Sequence, residues 1–242
     1  NNGGIPLRTI RAPAGFEFDG ALDEPFYRDE PAIDGFLQQE PDAGAAATDR
    51  TEVWVFYDQA NLYIAARCFE TQPDRRVATE MRRDAMTVYE NDHFAFSLDP
   101  FYDLRNGHGF MVSAGGALFD WSISNEVPNA SWNGIWDGRV AQIDGGWSVE
   151  IVVPFRSLRF RENGTQWGIN FRRMVRWKNE LSFLTPAQAQ WARPALSRMT
   201  NAATLTDIHV PGQGRNIDLK PYALGSILTD RNATPPFAND RT

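Results

Sequence analysis

The run His93–Asp99 constrains the fold of this chain more than any other stretch. Its apolar side chains, Phe94, Phe96 and Leu98, alternate with His, Ala, Ser and Asp, a period of two that is typical of a strand with one face in the core. Pro100 ends the run, because proline cannot donate to the hydrogen-bonded ladder of a sheet. Such a strand needs partner strands and a second layer that covers its apolar face.

Other alternating runs supply those partners. The clearest is a hairpin, in which Thr51–Tyr57 and residues 62–69 lie on either side of a turn at residues 58–61. Further runs are found at residues 110–112, 118–124, 147–153, 166–177, 181–184 and 203–210. Short strands separated by Gly, Pro, Asn and Asp turns, with one or two minor helices, predict an all-β fold. We expect an antiparallel β-sandwich of jelly-roll-like form.

Composition limits the classes of function. The 242 residues carry a net charge of -7, and a chain without a basic footprint is not expected to bind nucleic acid. No run of roughly 18 apolar residues is present that could span a membrane as a helix. The single cysteine, Cys68, excludes an intrachain disulfide, and its place in an alternating run predicts a small buried apolar residue.

The sequence contains no recognisable catalytic motif. The histidines do not have zinc-ligand spacing, and a nucleophile elbow, a P-loop and a dinucleotide fingerprint are all lacking, so we predict no enzyme activity. Paired carboxylates leave three alternatives open: glycoside cleavage across a gap of ~5 to 9 Å, a structural calcium ion, or simple turn and cap chemistry. The pairs are Glu90 with Asp92, Asp99 with Asp103, and Asp19 with Asp23.

Aromatic rings outside the alternating runs are the strongest functional signal. Tyr89, Trp132, Trp136 and Trp191 lie in connections between predicted strands or at strand ends. An exposed ring can stack on the apolar C–H face of a sugar, while Arg, Asn, Gln or Asp side chains hydrogen-bond the sugar hydroxyl groups. The alternative for each ring is that it closes an end of the sandwich.

Five short motifs follow one another along residues 18–171. They are Phe-Asp-Gly-Ala-Leu-Asp-Glu at 18–24, Leu-Tyr-Ile at 62–64, Tyr-Glu-Asn-Asp at 89–92, Gly-Trp-Ser-Val-Glu at 146–150 and Trp-Gly-Ile-Asn-Phe at 167–171. With these motifs, residues 16–210 resemble the family 9 carbohydrate-binding modules. The resemblance implies a β-sandwich that grips a terminal sugar between two aromatic rings and carries bound calcium.

The resemblance also implies which residues contact the ligand. Tyr89 stands at the position of the first ring, Trp191 in the late loop that supplies the second, and Arg172 at a polar strand position. The resulting set of predicted ligand-binding residues is Tyr89, Arg172, Trp191, Trp132, Trp136 and Asp92. The predicted partner is therefore a sugar or the end of a polysaccharide.

Two substitutions keep other functions open. Ala95 and Met111 stand where the sugar binders carry an acid and an arginine. Each lost hydrogen bond is worth about 1 kcal/mol, which favours a structural or docking domain that binds no sugar. A third alternative is a haem- or metal-binding sandwich, for which His108 and Met111 form the only nearby pair of ligands.

A subgroup of the family is more similar still. The resemblance lies in Leu-Asp-Pro-Phe-Tyr-Asp-Leu-Arg at 98–105, Trp-Asp-Gly at 136–138 and Pro-Phe-Arg-Ser-Leu-Arg-Phe at 154–160. It implies a module of an exported bacterial protein that continues into an outer-membrane barrel, so the location would be periplasmic, outer-membrane-associated or extracellular. We expect an irregular lead-in at 1–15, the sandwich at 16–212, and a linker or the start of a barrel-like region at 213–242.

Overall fold

The computed structural model describes residues 5–162, 164–186, 188–191, 193–210, 227–229 and 239–241. The chain divides into one unit of residues 1–212 and another of residues 213–242. In the second unit the described residues form one antiparallel pair, Ile227–Thr229 with Asn239–Arg241. Most of residues 213–242, predicted to be a linker or the start of a barrel-like region, lie outside the described residues.

Strands are the main regular elements in the described part of the first unit. These are β1 Pro6–Arg8, β2 Ile10–Arg11, β3 Leu37–Glu40, β4 Thr51–Tyr57, β5 Asn61–Phe69, β6 His93–Asp99, β7 Gly107–Ser113, β8 Leu118–Ser124, β9 Val127–Asn129, β10 Asp137–Ile143, β11 Gly146–Pro154, β12 Trp167–Val175, β13 Glu180–Phe183 and β14 Ala203–Thr206. The α-helix is α1 Phe26–Asp29, and the 3-10 helices are Pro73–Arg75, Met86–Glu90, Phe155–Ser157, Arg176–Lys178, Ala189–Trp191, Arg193–Ser197 and Met199–Asn201.

Two sheets pack against each other. The larger sheet has the order β1-β14-β12-β6-β7-β8-β9; in addition, β13 pairs with β12, and β3 pairs with β13. The smaller sheet has the order β10-β11-β5-β4-β2. This arrangement confirms the predicted β-sandwich, including the hairpin of β4 and β5. Two pairings at the sheet edges, β1 with β14 and β2 with β4, are parallel, so both sheets are mixed.

The irregular lead-in predicted for residues 1–15 is wrong for residues 6–11. β1 extends the larger sheet and β2 extends the smaller one, and Thr9 lies between them. The Thr9 backbone N–H and hydroxyl group both donate to the Thr206 carbonyl oxygen, at 3.1 and 2.6 Å. These strands have three and two residues, which is too short for an alternating pattern to be recognised in the sequence.

The main core lies between the two sheets. Phe94 stacks on Phe171 with ring centroids 5.9 Å apart, and Phe96 stacks on Phe110 at 5.0 Å. The smaller sheet contributes Trp147 and other side chains of its central strands to the same apolar cluster. Full burial of such a side chain contributes about 1.5–3 kcal/mol, so this cluster is the main source of stability. Cys68 is buried in this cluster, as predicted, and burial raises the pKa of its thiol to about 11.

The prediction that β6 has one solvent-facing side is wrong. We call the face of the larger sheet that points away from the smaller sheet its outer face. There Ala95, Ser97 and Asp99 are 0% exposed. A second apolar cluster lies on this face; it contains Ala95 together with Ala195, Leu196 and Met199 from the 3-10 helices between β13 and β14. The alternation in the sequence predicts only one buried face, because a covering segment about a hundred residues away leaves no trace in the local pattern of β6.

Within the described residues, every helix is too short to cross a membrane as an apolar span.

Candidate functional site

A continuous row of side chains crosses the outer face of the larger sheet. Phe119, Met111, Ala95, Arg172 and Phe183 lie directly opposite one another on β8, β7, β6, β12 and β13. All five are buried, and only the arginine carries a charge. The two substitutions identified in the sequence, Ala95 and Met111, therefore stand beside Arg172 and leave it as the one hydrogen-bonding side chain of this row.

Arg172 is held by neighbours on the same face. Its Nη2 atom lies 3.1 Å from His93 Nε2 and 3.5 Å from the sulfur of Met111. His93 Nδ1 lies 2.9 Å from the backbone oxygen of Asn91, which can only accept, so Nδ1 carries the proton. Nε2 is then the acceptor for the guanidinium, and the imidazole is neutral when this bond forms. Arg172 is 1% exposed and does not reach the surface.

Tyr89 lies above this arginine at the rim of the outer face. It belongs to the 3-10 helix Met86–Glu90, which leads into β6, and its ring is half-buried against the second cluster. The ring meets Phe119 edge-on at 5.3 Å and His93 at 6.1 Å, and the Arg172 guanidinium carbon is 5.6 Å from its centroid. Three contacts fix the ring while part of it stays exposed.

Trp191 lies against the same cluster and comes from a connection about a hundred residues later in the sequence. It ends the 3-10 helix Ala189–Trp191 and is half-buried. The guanidinium carbon of Arg198 lies 3.5 Å from the Trp191 ring centroid, and Arg198 Nη1 donates to Glu126 Oε2 at 3.0 Å. Gln39 on β3 holds the start of this segment through a 3.0 Å bond from its Nε2 to the Gln188 carbonyl oxygen. The fold thus places Tyr89, Arg172 and Trp191 on one face of one sheet.

Trp132 and Trp136 belong to the other cluster. Trp136 is 5% exposed in the core, where its Nε1 donates to Asp120 Oδ2 at 2.7 Å. Trp132 is half-buried against the same core, 4.4 Å from the His108 ring and 5.9 Å from Phe110. Both positions fit the alternative that these rings close the sandwich, so neither ring joins Tyr89 and Trp191.

Asp92 also points away from the outer face. It is 0% exposed, and its Oδ2 accepts the Val77 backbone N–H at 2.8 Å. Burial raises the pKa of this carboxyl, and the neighbouring Arg173 opposes that effect. Arg173 lies over the Trp147 ring in the core. A carboxyl in this place is bonded inside the sandwich and does not meet a ligand at the surface.

The pair predicted to bind haem is wrong on geometric grounds. His108 stacks on Trp132 at the main core, whereas Met111 lies in the second cluster on the opposite face of β7. Side chains an odd number of positions apart on a strand point in opposite directions, so these two cannot bind one iron.

Calcium stays a prediction without a set of ligands. Among the described residues, no group of three or more His, Cys, Asp or Glu side chains could hold a metal ion. The Asp103 carboxylate accepts the backbone N–H groups of Arg105 and Asn106 at 2.9 and 2.8 Å, and Asp99 accepts that of Leu104 at 2.7 Å. These carboxylates serve the turn after β6, which is the third alternative drawn from the sequence.

Three residues around the rings could not be identified from the sequence. Arg198 and Glu126 are 72 positions apart and meet beside Trp191. No sequence motif singles out His93, and its role as the acceptor for Arg172 depends on the register of β6 and β12, where Met174 lies opposite it. Pairing across sheets and loops carries no signal in a single sequence.

Solved structures with a similar fold provide the comparison with known proteins. A family 9 carbohydrate-binding module from Caldicellulosiruptor kristjanssonii in complex with cellotriose has a TM-score of 0.59 and 12% identity, covering 89% of this chain and 100% of the module. A family 9 module from the same organism in complex with glucose has a TM-score of 0.58 and 12% identity, and the match covers 88% of this chain and 100% of the module. A candidate carbohydrate-binding protein from Bacteroides uniformis has a TM-score of 0.64 and 14% identity, and the match covers 84% of this chain and 99% of that protein.

These likenesses establish the fold alone, because all three identities lie at 14% or below. No protein-family model matches the chain, and no curated protein matches its sequence.

Proposed function

We propose that this chain is a non-catalytic carbohydrate-binding module that holds a sugar, or the end of a polysaccharide, between Tyr89 and Trp191. The observation that carries the proposal is that both rings are half-buried against one apolar cluster on one face of the larger sheet. Rings fixed on one side and exposed on the other can stack on the C–H faces of a pyranose.

In this proposal Arg172 acts through Tyr89. With 1% exposure it cannot touch a ligand at the surface, but its guanidinium lies under the Tyr89 ring and bonds to His93. A ring that is already fixed loses less conformational freedom when a ligand binds. The hydrogen bonds to sugar hydroxyl groups would then come from residues at the rim and from water.

The solved structures suggest which ligands to test first. Two modules of similar fold hold cellotriose and glucose. A β-linked glucan end is therefore the first candidate. An aromatic contact contributes about 0.5–1.5 kcal/mol beyond its buried area, so a slot made of two rings gives modest affinity.

Calorimetric titration with glucose and cello-oligosaccharides tests the proposal. We expect Tyr89→Ala and Trp191→Ala each to weaken binding about tenfold or more. Trp177→Ala is the matched control, because Trp177 is also half-buried, with the Arg75 guanidinium carbon 4.2 Å from its ring centroid. The proposal fails if the wild-type chain gives no signal with any sugar, or if the control loses as much affinity as the two variants.

A second candidate is a structural or docking domain of an outer-membrane protein. The apolar and sealed row of Phe119, Met111 and Ala95 favours it, since this row lacks the charged groups that orient a sugar. Two results together would support it. The chain would bind no sugar on a glycan array, and deletion of residues 1–212 would lower the melting temperature of the barrel region that this candidate requires. Both candidates place the chain outside the cytoplasm, which cell fractionation checks directly.

A further inference from the structure

The stack of Arg198 on Trp191 is unusually close. The guanidinium carbon lies 3.5 Å from the ring centroid, and the next closest stack in the described residues, Arg75 on Trp177, is at 4.2 Å. A separation of 3.5 Å is van der Waals contact, so the planar guanidinium covers one face of the indole. The ring is thereby fixed from that face.

Glu126 fixes the arginine in turn. Its Oε2 accepts from Arg198 Nη1 at 3.0 Å, while its Oε1 accepts the Thr200 backbone N–H at 3.1 Å and the Thr200 hydroxyl at 2.8 Å. Burial alone would raise the pKa of this carboxyl, but the bonds from Thr200 and Arg198 outweigh it and lower the pKa, so the carboxylate is charged at neutral pH. Both of its oxygens are occupied before any ligand arrives.

The segment that carries Arg198 is also tied to the outer face. Trp121 Nε1 donates to Ser197 Oγ at 3.2 Å, and Met199 is fully buried in the second cluster. Arg198 therefore sits between two fixed neighbours in sequence and is held by a fixed carboxylate. A side chain anchored on so many sides is a permanent support of the ring and is not displaced when a ligand stacks on it.

We infer that Arg198, held by Glu126, is the positioning residue for Trp191, fixing the ring so that its exposed part faces a bound sugar. The inference rests on the proposed function for the ligand, but the positioning itself is a property of the free protein. Arg198 touches no sugar in this arrangement and acts only through the ring. Nothing in the local sequence connects Trp191 with Glu126, so the pair is visible only in the fold.

The test uses ¹⁹F NMR of the whole chain labelled with 5-fluorotryptophan. The chain has eight tryptophans, and the Trp191 resonance is assigned by its loss in Trp191→Phe. In Arg198→Ala we expect the Trp191 resonance to shift and broaden while the others stay in place. Arg198→Lys keeps the charge without the planar stack and should shift the same resonance, and Glu126→Gln should broaden it. If Arg198→Ala does not fold, Arg198→Lys and Glu126→Gln test the inference in its place.

Arg75→Ala is the matched control, since it removes the other close arginine–tryptophan stack and should shift the Trp177 resonance alone. If the Trp191 resonance is unchanged in all three variants at Arg198 and Glu126, the inference is wrong. It is also wrong if Arg75→Ala moves that resonance as strongly.

Sugar titration separates this inference from the proposed function. We expect Arg198→Ala to weaken binding of cellotriose about threefold to tenfold, less than Trp191→Ala. Undiminished affinity in Arg198→Ala would overturn the inference and leave the sugar site standing. A shifted Trp191 resonance in a protein that binds no sugar would support the positioning and contradict the proposed function.

Discussion

The two faces of the larger sheet are made by alternate residues of the same strands, yet they are closed in different ways. On the inner face, the Phe171 ring centroid lies 5.9 Å from that of Phe94 and 6.4 Å from that of Phe96. The second sheet covers these three rings. On the outer face, Ala95 and Arg172 are closed by short 3-10 helices and by rings that stay half-exposed. The comparison teaches that burial alone does not define a core, because only the inner face is covered by a second sheet. Stability should depend on the inner face and recognition on the outer one.

The largest effect is expected from Phe171→Ala on the inner face. Phe171 is 0% exposed and contacts both Phe94 and Phe96, so the variant leaves a cavity and loses about 3–5 kcal/mol of unfolding free energy. Urea unfolding measures this loss. Phe101→Ala is the control, since this ring is 39% exposed and its removal should change stability by about 0.5 kcal/mol or less. Equal losses would remove the distinction between the inner face and the surface.

A pH effect should come from His108 on the inner side. Burial lowers its pKa from 6.5 to about 4, so the unfolded chain takes up a proton that the folded chain resists. The stabilisation is fully present above pH 6.5 and is lost as the pH falls towards 4, by about 2–3 kcal/mol. His108→Phe should lose this dependence when unfolding is measured between pH 7.5 and 4.5. A variant that retained the wild-type slope would show that the inner side tolerates charge at this position.

Arg172→Met tests the outer face with a smaller expected effect. The variant removes the guanidinium donor of His93 Nε2, which costs about 1–3 kcal/mol, while the new apolar side chain suits its neighbours Ala95 and Met111. Chemical unfolding gives the stability, and titration with cellotriose gives the affinity. If Arg172→Met lowered stability as much as Phe171→Ala, the outer face would be a second core.

The smallest stability effect is expected from Trp191→Ala. The ring is half-buried, so its loss should change the unfolding free energy by about 1 kcal/mol or less while weakening sugar binding about tenfold or more. Differential scanning calorimetry checks that the melting temperature stays nearly unchanged. A drop of several degrees would instead assign Trp191 to the packing of the sheet.

The sequence predicted the inner face better than the outer one, for a physical reason. Phe94, Phe96 and Leu98 repeat every second residue, and that period follows from strand geometry alone. Ala95 is buried in a cluster with Leu196 and Met199, about a hundred residues away, and no local rule connects them. The predicted partners Tyr89, Arg172 and Trp191 do share a face. The sequence does not distinguish Trp136, which bonds to Asp120 in the core, from an exposed loop ring.

Besides β1 and β2, three further strands are not predicted from the sequence, for a related reason. β3 is four residues long, and β9 is three residues long with Pro128 at its centre. β10 lies at the edge of the smaller sheet, where Arg139 and Gln142 face solvent and dilute the apolar pattern. Edge strands contribute few buried side chains, so their existence depends on the neighbour to which they bond.

The parallel strands near the start of the chain have a consequence for biosynthesis. β1 pairs with β14, so Leu7 lies opposite a residue made almost two hundred positions later, Leu205. Residues 6–8 leave the ribosome long before β14, the last of the described strands of this unit. They must therefore wait, unpaired, until nearly all of the sandwich has been made, and the closing of this edge is a late step of folding.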